Sequence, residues 1–396
     1  MRLKSRRLVY AAPNDATTAY QYSFYTRAAG LERMRMRCLE VRDDTFQHYT
    51  RSFSPDNGRT WSKPEPIRDH WQTPQGMHRE YAGPGFVHPQ RDRLVTLVLA
   101  GELPGDTPLD GMQHWYTVYR VSADGGLTNV VDERVVQEGD YTPEHPCEGV
   151  WIGRNSLQVC NAVTSTADGR LLAPVQITPL GPDGRYYNPA GAYTYTDAAV
   201  LIGTWTEGDR IRWDLSQRVA ADPERSTRGM IEPTVAEMPD GRILMVLRGS
   251  NDRRTELPGH KWHSVSSDGG RRWTPPEPWR YSDGTAFFSP SSISIMIRHS
   301  SGRYLWVGNI CPENPQSNSP RYPLVIAEVD PHSLMLVRES VAQVDTRRPG
   351  EHPSMSLSNF SVEEDREAGD VRIHMTRMYA TAAGATGHSY VYRIAT

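Results

Sequence analysis

One short turn recurs along the chain, and its spacing limits the folds available. The copy around Asp240-Gly241-Arg242 is nearly repeated at Asp168-Gly169-Arg170 and again at Ser301-Gly302-Arg303. Weaker copies sit at Ala29-Gly30-Leu31, Arg91-Asp92-Arg93 and Ala368-Gly369-Asp370. The turn positions 30, 92, 169, 241, 302 and 369 are separated by 62, 77, 72, 61 and 67 residues. Most are preceded by an extended segment and followed by an apolar strand, as Arg242 is followed by Ile243-Leu244-Met245-Val246-Leu247. Glycine suits the turn because one of its positions needs φ > 0. Six copies of a unit with room for four strands predict an all-β chain, a six-bladed β-propeller of four-stranded antiparallel blades. The whole chain, 1–396, is expected to form one domain. In this reading, the N-terminal segment 7–11 closes the last blade.

A second periodic turn lies after these. Ser54-Pro55-Asp56-Asn57-Gly58-Arg59-Thr60-Trp61 and Ser266-Ser267-Asp268-Gly269-Gly270-Arg271-Arg272-Trp273 both fit S-x-D-x-G-x-x-W. Residues 122–129 form a copy without the Trp, and 207–213 a decayed one. The Asp can accept backbone N–H bonds, the Gly allows φ > 0, and the Trp is expected to pack between neighbouring blades. This is the Asp-box, and it resembles the repeat of the sialidase (neuraminidase) superfamily.

Composition excludes several function classes. Net charge is −3, so no basic field argues for nucleic acid. The four Cys, at 38, 147, 160 and 311, have no metal-ligand spacing, so free thiols and no metal or cofactor are expected. The basic N-terminus carries only a short apolar run at 8–12, too short for a signal peptide, and no stretch reaches membrane-span length. The expected location is cytoplasmic, or secreted with the leader absent from this sequence.

In a propeller the inner strands converge on the axis, so site residues are expected just before the first strand of a blade or just after the second. The hairpin 232–248 places Glu232 at its entrance and Arg248 at its exit, so the two should lie side by side. Arg321 precedes the apolar run Leu324-Val325-Ile326, and His352 precedes the last blade. Arg79 and Tyr81 precede the second blade, and Asp43 and Asp44 follow the second strand of the first.

Here the likeness to sialidases sharpens. Glu232-Pro233-Thr234-Val235-Ala236-Glu237, with its Asp240-Gly241-Arg242 turn and Arg248 exit, resembles the family's fourth-blade hairpin. By that resemblance Arg248 and Arg321 belong to an arginine clamp for a substrate carboxylate, with Arg79 a further candidate. Glu232 would activate a nucleophilic Tyr and Asp44 or Asp43 would be the acid/base group, while in a lyase acting on uronic acids His352 or Tyr81 would abstract or donate the proton. Two places depart from the family. Ala19-Tyr20-Gln21 stands where the first clamp Arg is expected, and His352 stands where the nucleophilic Tyr is expected. The resemblance implies an exo-glycosidase removing a terminal acidic sugar, sialic acid or a similar carboxylated sugar, from a glycan. Two alternatives stay open: a lyase or atypical glycosidase acting on uronic-acid glycans, and a non-catalytic glycan-binding propeller.

Overall fold

A computed structural model describes residues 1–379 and 386–396. The chain is all-β. Its only helical pieces among the described residues are a 3-10 turn at Pro108–Asp110 with the short helix Gly111–His114, and a second 3-10 turn at Arg338–Ser340. None of these helices is long and apolar enough to cross a membrane.

The strands form antiparallel groups in chain order. Ile231–Glu237, Ile243–Arg248, Lys261–Ser266 and Glu277–Pro278 make one four-stranded sheet. Ile295–Arg298, Tyr304–Asn309, Leu324–Val329 and Ala342–Asp345 make another. A five-stranded sheet is built around Leu171–Ile177 and Asp197–Trp205, and a six-stranded one around Arg93–Leu103 and Tyr116–Ser122. The largest sheet has eight strands and contains both ends of the chain. It joins Phe360–Glu364, Val371–Met378 and Gly387–Ala395 to Thr18–Tyr25, Arg33–Arg42, Thr45–Ser54 and Glu65–Pro66. Its two antiparallel halves meet at a single parallel pair, Thr18 with Gly387. The N-terminal strand Arg2–Tyr10 runs antiparallel along Gly387–Ala395.

Local chemistry explains these elements. All six repeated turn positions have positive φ: 94° at Gly30, 50° at Asp92, 82° at Gly169, 84° at Gly241, 85° at Gly302 and 65° at Gly369. The three S-x-D-x-G turns share one bonding scheme. The Gly58, Gly126 and Gly270 amides donate to Ser54, Ser122 and Ser266 Oγ at 2.8, 2.7 and 2.9 Å. Asp56, Asp124 and Asp268 each accept the backbone N–H four residues on, at 2.8–2.9 Å. Trp273 is buried in an apolar cluster shared by two sheets. Trp61 does not do the same. It is only half-buried and carries the Arg35 guanidinium over its ring at 4.5 Å.

Strand alternation sends apolar side chains to the spaces between successive sheets. One cluster joins Leu97 and Tyr119 to Val175 and Leu201, and another joins Val200 and Ile202 to Met245 and Leu247. A third joins Val246 to Trp306, and a fourth joins Val307 and Ile326 to Ile373 and Tyr392. These cores hold the sheets by their faces and leave the strand ends free to build a site.

The Gly241 conformation is testable. Its φ of 84° is left-handed, and a Cβ there would meet no atom, so any loss comes from backbone strain alone. Gly241→Ala should cost about 1 kcal/mol of unfolding free energy. Urea denaturation of the two proteins measures it.

Candidate active site

A cavity of about 640 Å³ opens where the sheets' strand ends meet, and each sheet contributes to its wall. Asp43 and Asp44 follow the strand Arg33–Arg42, and Tyr81 comes from Gly76–Ala82. Glu232 and Arg248 come from the Ile231–Glu237 and Ile243–Arg248 hairpin. Arg321 precedes Leu324–Val329, and Asn359 precedes Phe360–Glu364.

The hairpin places its acid and base as its sequence predicts. Ile231 pairs with Arg248, and the register slips before Thr234 pairs with Val246. The irregularity falls on Glu232 and Pro233, and Glu232 takes φ 44°. Its carboxylate Oε2 accepts from Arg248 Nη1 at 2.7 Å. The rest of the Arg248 fork is also held. Nε donates to Ser291 Oγ at 2.9 Å and Nη2 to Asn318 Oδ1 at 3.2 Å. The same Ser291 offers its carbonyl to Arg321 Nε and Nη2 at 3.2 and 3.0 Å. One residue thereby fixes two guanidinium planes in one wall.

A third guanidinium completes the cationic side. Arg228 is buried, lines the same cavity and donates through Nη2 to Thr194 Oγ1. Its guanidinium lies 5.6 Å from the centre of the Tyr193 ring, and its Nε has no partner. Arg228 also has no carboxylate within ion-pair distance among the described residues. The nearest charges therefore set one another's protonation. Burial pushes Glu232 up, but Arg248, Arg321 and Arg228 outweigh it and hold the carboxyl below its usual range. Burial together with Arg248 brings both Arg228 and Arg321 down to about 10.

Asp43 and Asp44 add acidic groups to the same cavity. Asp44 sits at φ 49° with its backbone N–H donating to Glu40 Oε1 at 3.1 Å. Asp44 is exposed at the cavity's mouth, and the protein around it still raises its carboxyl a little, with Asp43 and Glu232 adding to the rise and Arg248 and Arg321 opposing it. Glu40 lies behind, accepts from the Tyr20 hydroxyl at 2.9 Å, and is pushed up to about 7 by burial. Among the described residues, Glu40, Asp43 and Asp44 form the one set of three metal-type ligands whose oxygens lie within 4.8 Å. Tyr81 packs edge-on against Phe46, and burial pushes its hydroxyl up to about 12.

The cavity gathers five of the seven residues expected from the sequence: Glu232, Asp44, Tyr81, Arg248 and Arg321. Two are elsewhere. His352 is exposed in the turn after Ala342–Asp345, where its Nδ1 accepts the Ser354 N–H at 3.2 Å. The chain reaches the cavity wall only further on, at Asn359, because 346–354 is spent in an external turn. Arg79 is buried with its fork closed on Asp106, at 2.6 Å through Nε and 2.9 Å through Nη2, so it has no free face for a ligand. Two wall residues, Arg228 and Tyr193, are not singled out by the sequence reading. Arg228 obeys the placement rule used for the others, since it stands just before the strand Ile231–Glu237. Tyr193 closes a long irregular loop, and nothing local marks it.

Residues 86–338 match the BNR repeat-like domain family. Among curated proteins no sequence matches the chain. Solved structures of similar fold include a protein of unknown function from Dyadobacter fermentans, 15% identical, with TM-score 0.63 and coverage of 100% of this chain and 99% of that one. The intramolecular trans-sialidase from Ruminococcus gnavus is 12% identical with TM-score 0.60, covering 100% and 98%. An α-L-arabinofuranosidase from Fusarium graminearum is 14% identical with TM-score 0.56, covering 99% and 98%.

Glu40 gives a pH test of the acidic groups. Its folded pKa of about 7 stands above the ordinary carboxylate value of about 4.3. The folded state therefore holds a proton that the unfolded chain has lost, and stability falls as pH rises between those values. In Glu40→Gln that fall should shrink. Whatever its fixed offset, the variant should gain on the wild type between about pH 4 and about pH 8 in denaturation experiments.

Proposed function

The chain belongs to the BNR repeat-like domain family within the sialidase-like superfamily, and we propose that it is an exo-glycosidase releasing a terminal carboxylated sugar from a glycan. In this reading the chain is one six-bladed propeller with the cavity at its hub, and the Arg2–Tyr10 strand ties the last blade to the first. Sialidase and arabinofuranosidase neighbours of similar fold support a glycan-active enzyme.

One observation carries the proposal. Three guanidiniums, Arg228, Arg248 and Arg321, share one cavity wall with a single ion-paired carboxylate, Glu232. Arg253, Asp43, Asp44 and Asp252 line the cavity too, so its charges balance overall, and it is the grouping of three guanidiniums around Glu232 that offers forks to an anionic ligand. A planar fork matches a carboxylate, and Ser291 holds two of the forks in place before a ligand arrives.

The acids then divide by environment. Glu232, held ionised by its arginines, is the base that orients and deprotonates the attacking group. Asp44, raised by its surroundings, keeps a proton more readily and protonates the leaving glycosidic oxygen. No tyrosine is hydrogen-bonded to Glu232 among the described residues, so the attacking group is taken to be water. This departs from the tyrosine nucleophile that the resemblance implies. A lyase acting on uronic acids would need a base beside the sugar's C5; no histidine lines the cavity among the described residues, and Tyr81, which does, has its hydroxyl pushed up to about 12 by burial, away from a ready base.

Chromophore release from aryl sialosides and aryl uronides tests the reading, with ultraviolet absorbance of an unsaturated product marking the lyase alternative. Arg248→Ala should lower kcat/KM on the carboxylated substrate at least about a hundredfold, ~3 kcal/mol. Circular dichroism should show the fold retained. Wild-type efficiency in that variant would refute the clamp, and binding without any turnover would make the protein a lectin-like propeller.

A further inference from the structure

The space between the last sheet group and the first is unlike the other spaces between sheets. Elsewhere the facing strands meet through apolar clusters. The strand Arg33–Arg42 shows the change within itself. Met34, Met36 and Cys38 turn to one side and join an apolar cluster with Leu94. Arg33, Arg35 and Arg37 alternate to the other side and line a cleft of about 680 Å³. The facing wall adds Arg7 from the N-terminal strand, and Arg372 and Arg393 from the last two strands. Arg59 also lines the cleft, and among the described residues Glu367 is the only carboxylate that does.

Some of these charges are neutralised locally. Arg33 pairs with Glu363, Arg372 and Arg393 pair with Asp365, and Arg59 pairs with Glu367 at 2.7 Å. Arg7, Arg35 and Arg37 have no carboxylate within ion-pair distance among the described residues. Arg35 is fixed over Trp61 at 4.5 Å, donates to Ser52 Oγ at 3.2 Å, and keeps a buried Nε with no partner. Arg37 is fixed over Tyr10 at 4.8 Å and bonded to Gln21 Oε1 at 2.7 Å and the Val9 carbonyl at 2.8 Å. Arg33 is 3% exposed and its Nε also lacks a partner. Burial, with Arg37 adding to it, brings Arg35 down to about 10. Buried guanidinium N–H groups left unspent, as at Arg33 and Arg35 Nε, are costly unless an acceptor joins them.

We propose that this cleft is an oxyanion site taking a phosphate or sulfate group, free or carried as an ester on a small sugar. Tetrahedral oxyanions carry several acceptor oxygens and suit forks brought from separate strands, as Arg35 and Arg37 of Arg33–Arg42 and Arg7 of the N-terminal strand line one cleft. The cleft is larger than a bare ion requires, which leaves room for the body of an ester. The site is separate from the cavity holding Arg248 and shares no lining residue with it.

Isothermal titration calorimetry at constant ionic strength, with chloride as the control anion, tests this. The probes are inorganic phosphate, inorganic sulfate, glucose 6-phosphate and glucose 6-sulfate. At least one should bind above the chloride background. Tighter binding of an ester assigns a carried group, and equal binding assigns the free ion. Arg35→Gln should weaken binding at least about tenfold. Arg7→Gln, at an exposed position where folding is not at stake, should also weaken it. Arg248→Ala should leave it unchanged. The proposal fails if no probe exceeds chloride, if both cleft variants bind as the wild type does, or if Arg248→Ala abolishes binding.

Discussion

The site rests on how the Arg248 guanidinium is shared. Its three nitrogens go to Glu232, Ser291 and Asn318, which lie on three separate stretches of chain. A fork held at three points cannot turn without breaking charge-assisted bonds. Ser291 extends the restraint to Arg321 through its carbonyl. Behind them the Lys261 ammonium is buried, donates to the Ser292 carbonyl, and is brought down to about 7 by burial and Arg248. The segment at 291–292 is therefore a rack of oxygens for three cationic side chains. Such a cluster is stable only if its remaining charge is met by an anion or partly discharged.

The acidic groups at the cavity have the complementary property. Burial first, and neighbouring carboxylates second, raise Glu40 and Asp44 there, while the arginines hold Glu232 below its usual range. Two carboxylates with pKa values pushed in opposite directions in one cavity are what acid–base chemistry requires. The two sets of groups come from strand ends far apart in the chain, and the apolar clusters between sheets fix their separation.

The same alternation builds a different surface at one seam. Where the chain's two ends meet, arginine, asparagine, glutamine, serine and histidine outnumber the few apolar side chains, Leu8, Val9, Trp61 and Val391, that line the space. The junction is held by the strand Arg2–Tyr10, by one parallel residue pair, and by ion pairs such as Arg33 with Glu363. Polar contacts close this seam where hydrophobic burial closes the others. That leaves a cleft instead of a packed core.

The sequence by itself determined the all-β class, the turn positions and the Glu232–Arg248 contact. Each of these is local. A φ > 0 turn demands its glycine or aspartate, and a hairpin returns its ends to one place whatever surrounds them. Placement of Arg321, Asp44 and Tyr81 on the cavity followed from their standing beside strand ends. Arg228 was missed though it stands in the same relation to its strand. Only the tertiary structure decided the rest. It turned His352 outward because the chain spends 346–354 in an external turn, and it closed Arg79 on Asp106. It also set Arg33, Arg35 and Arg37 against the other end of the chain. Strand alternation is visible in a sequence, but which sheet each face will meet depends on contacts hundreds of residues apart.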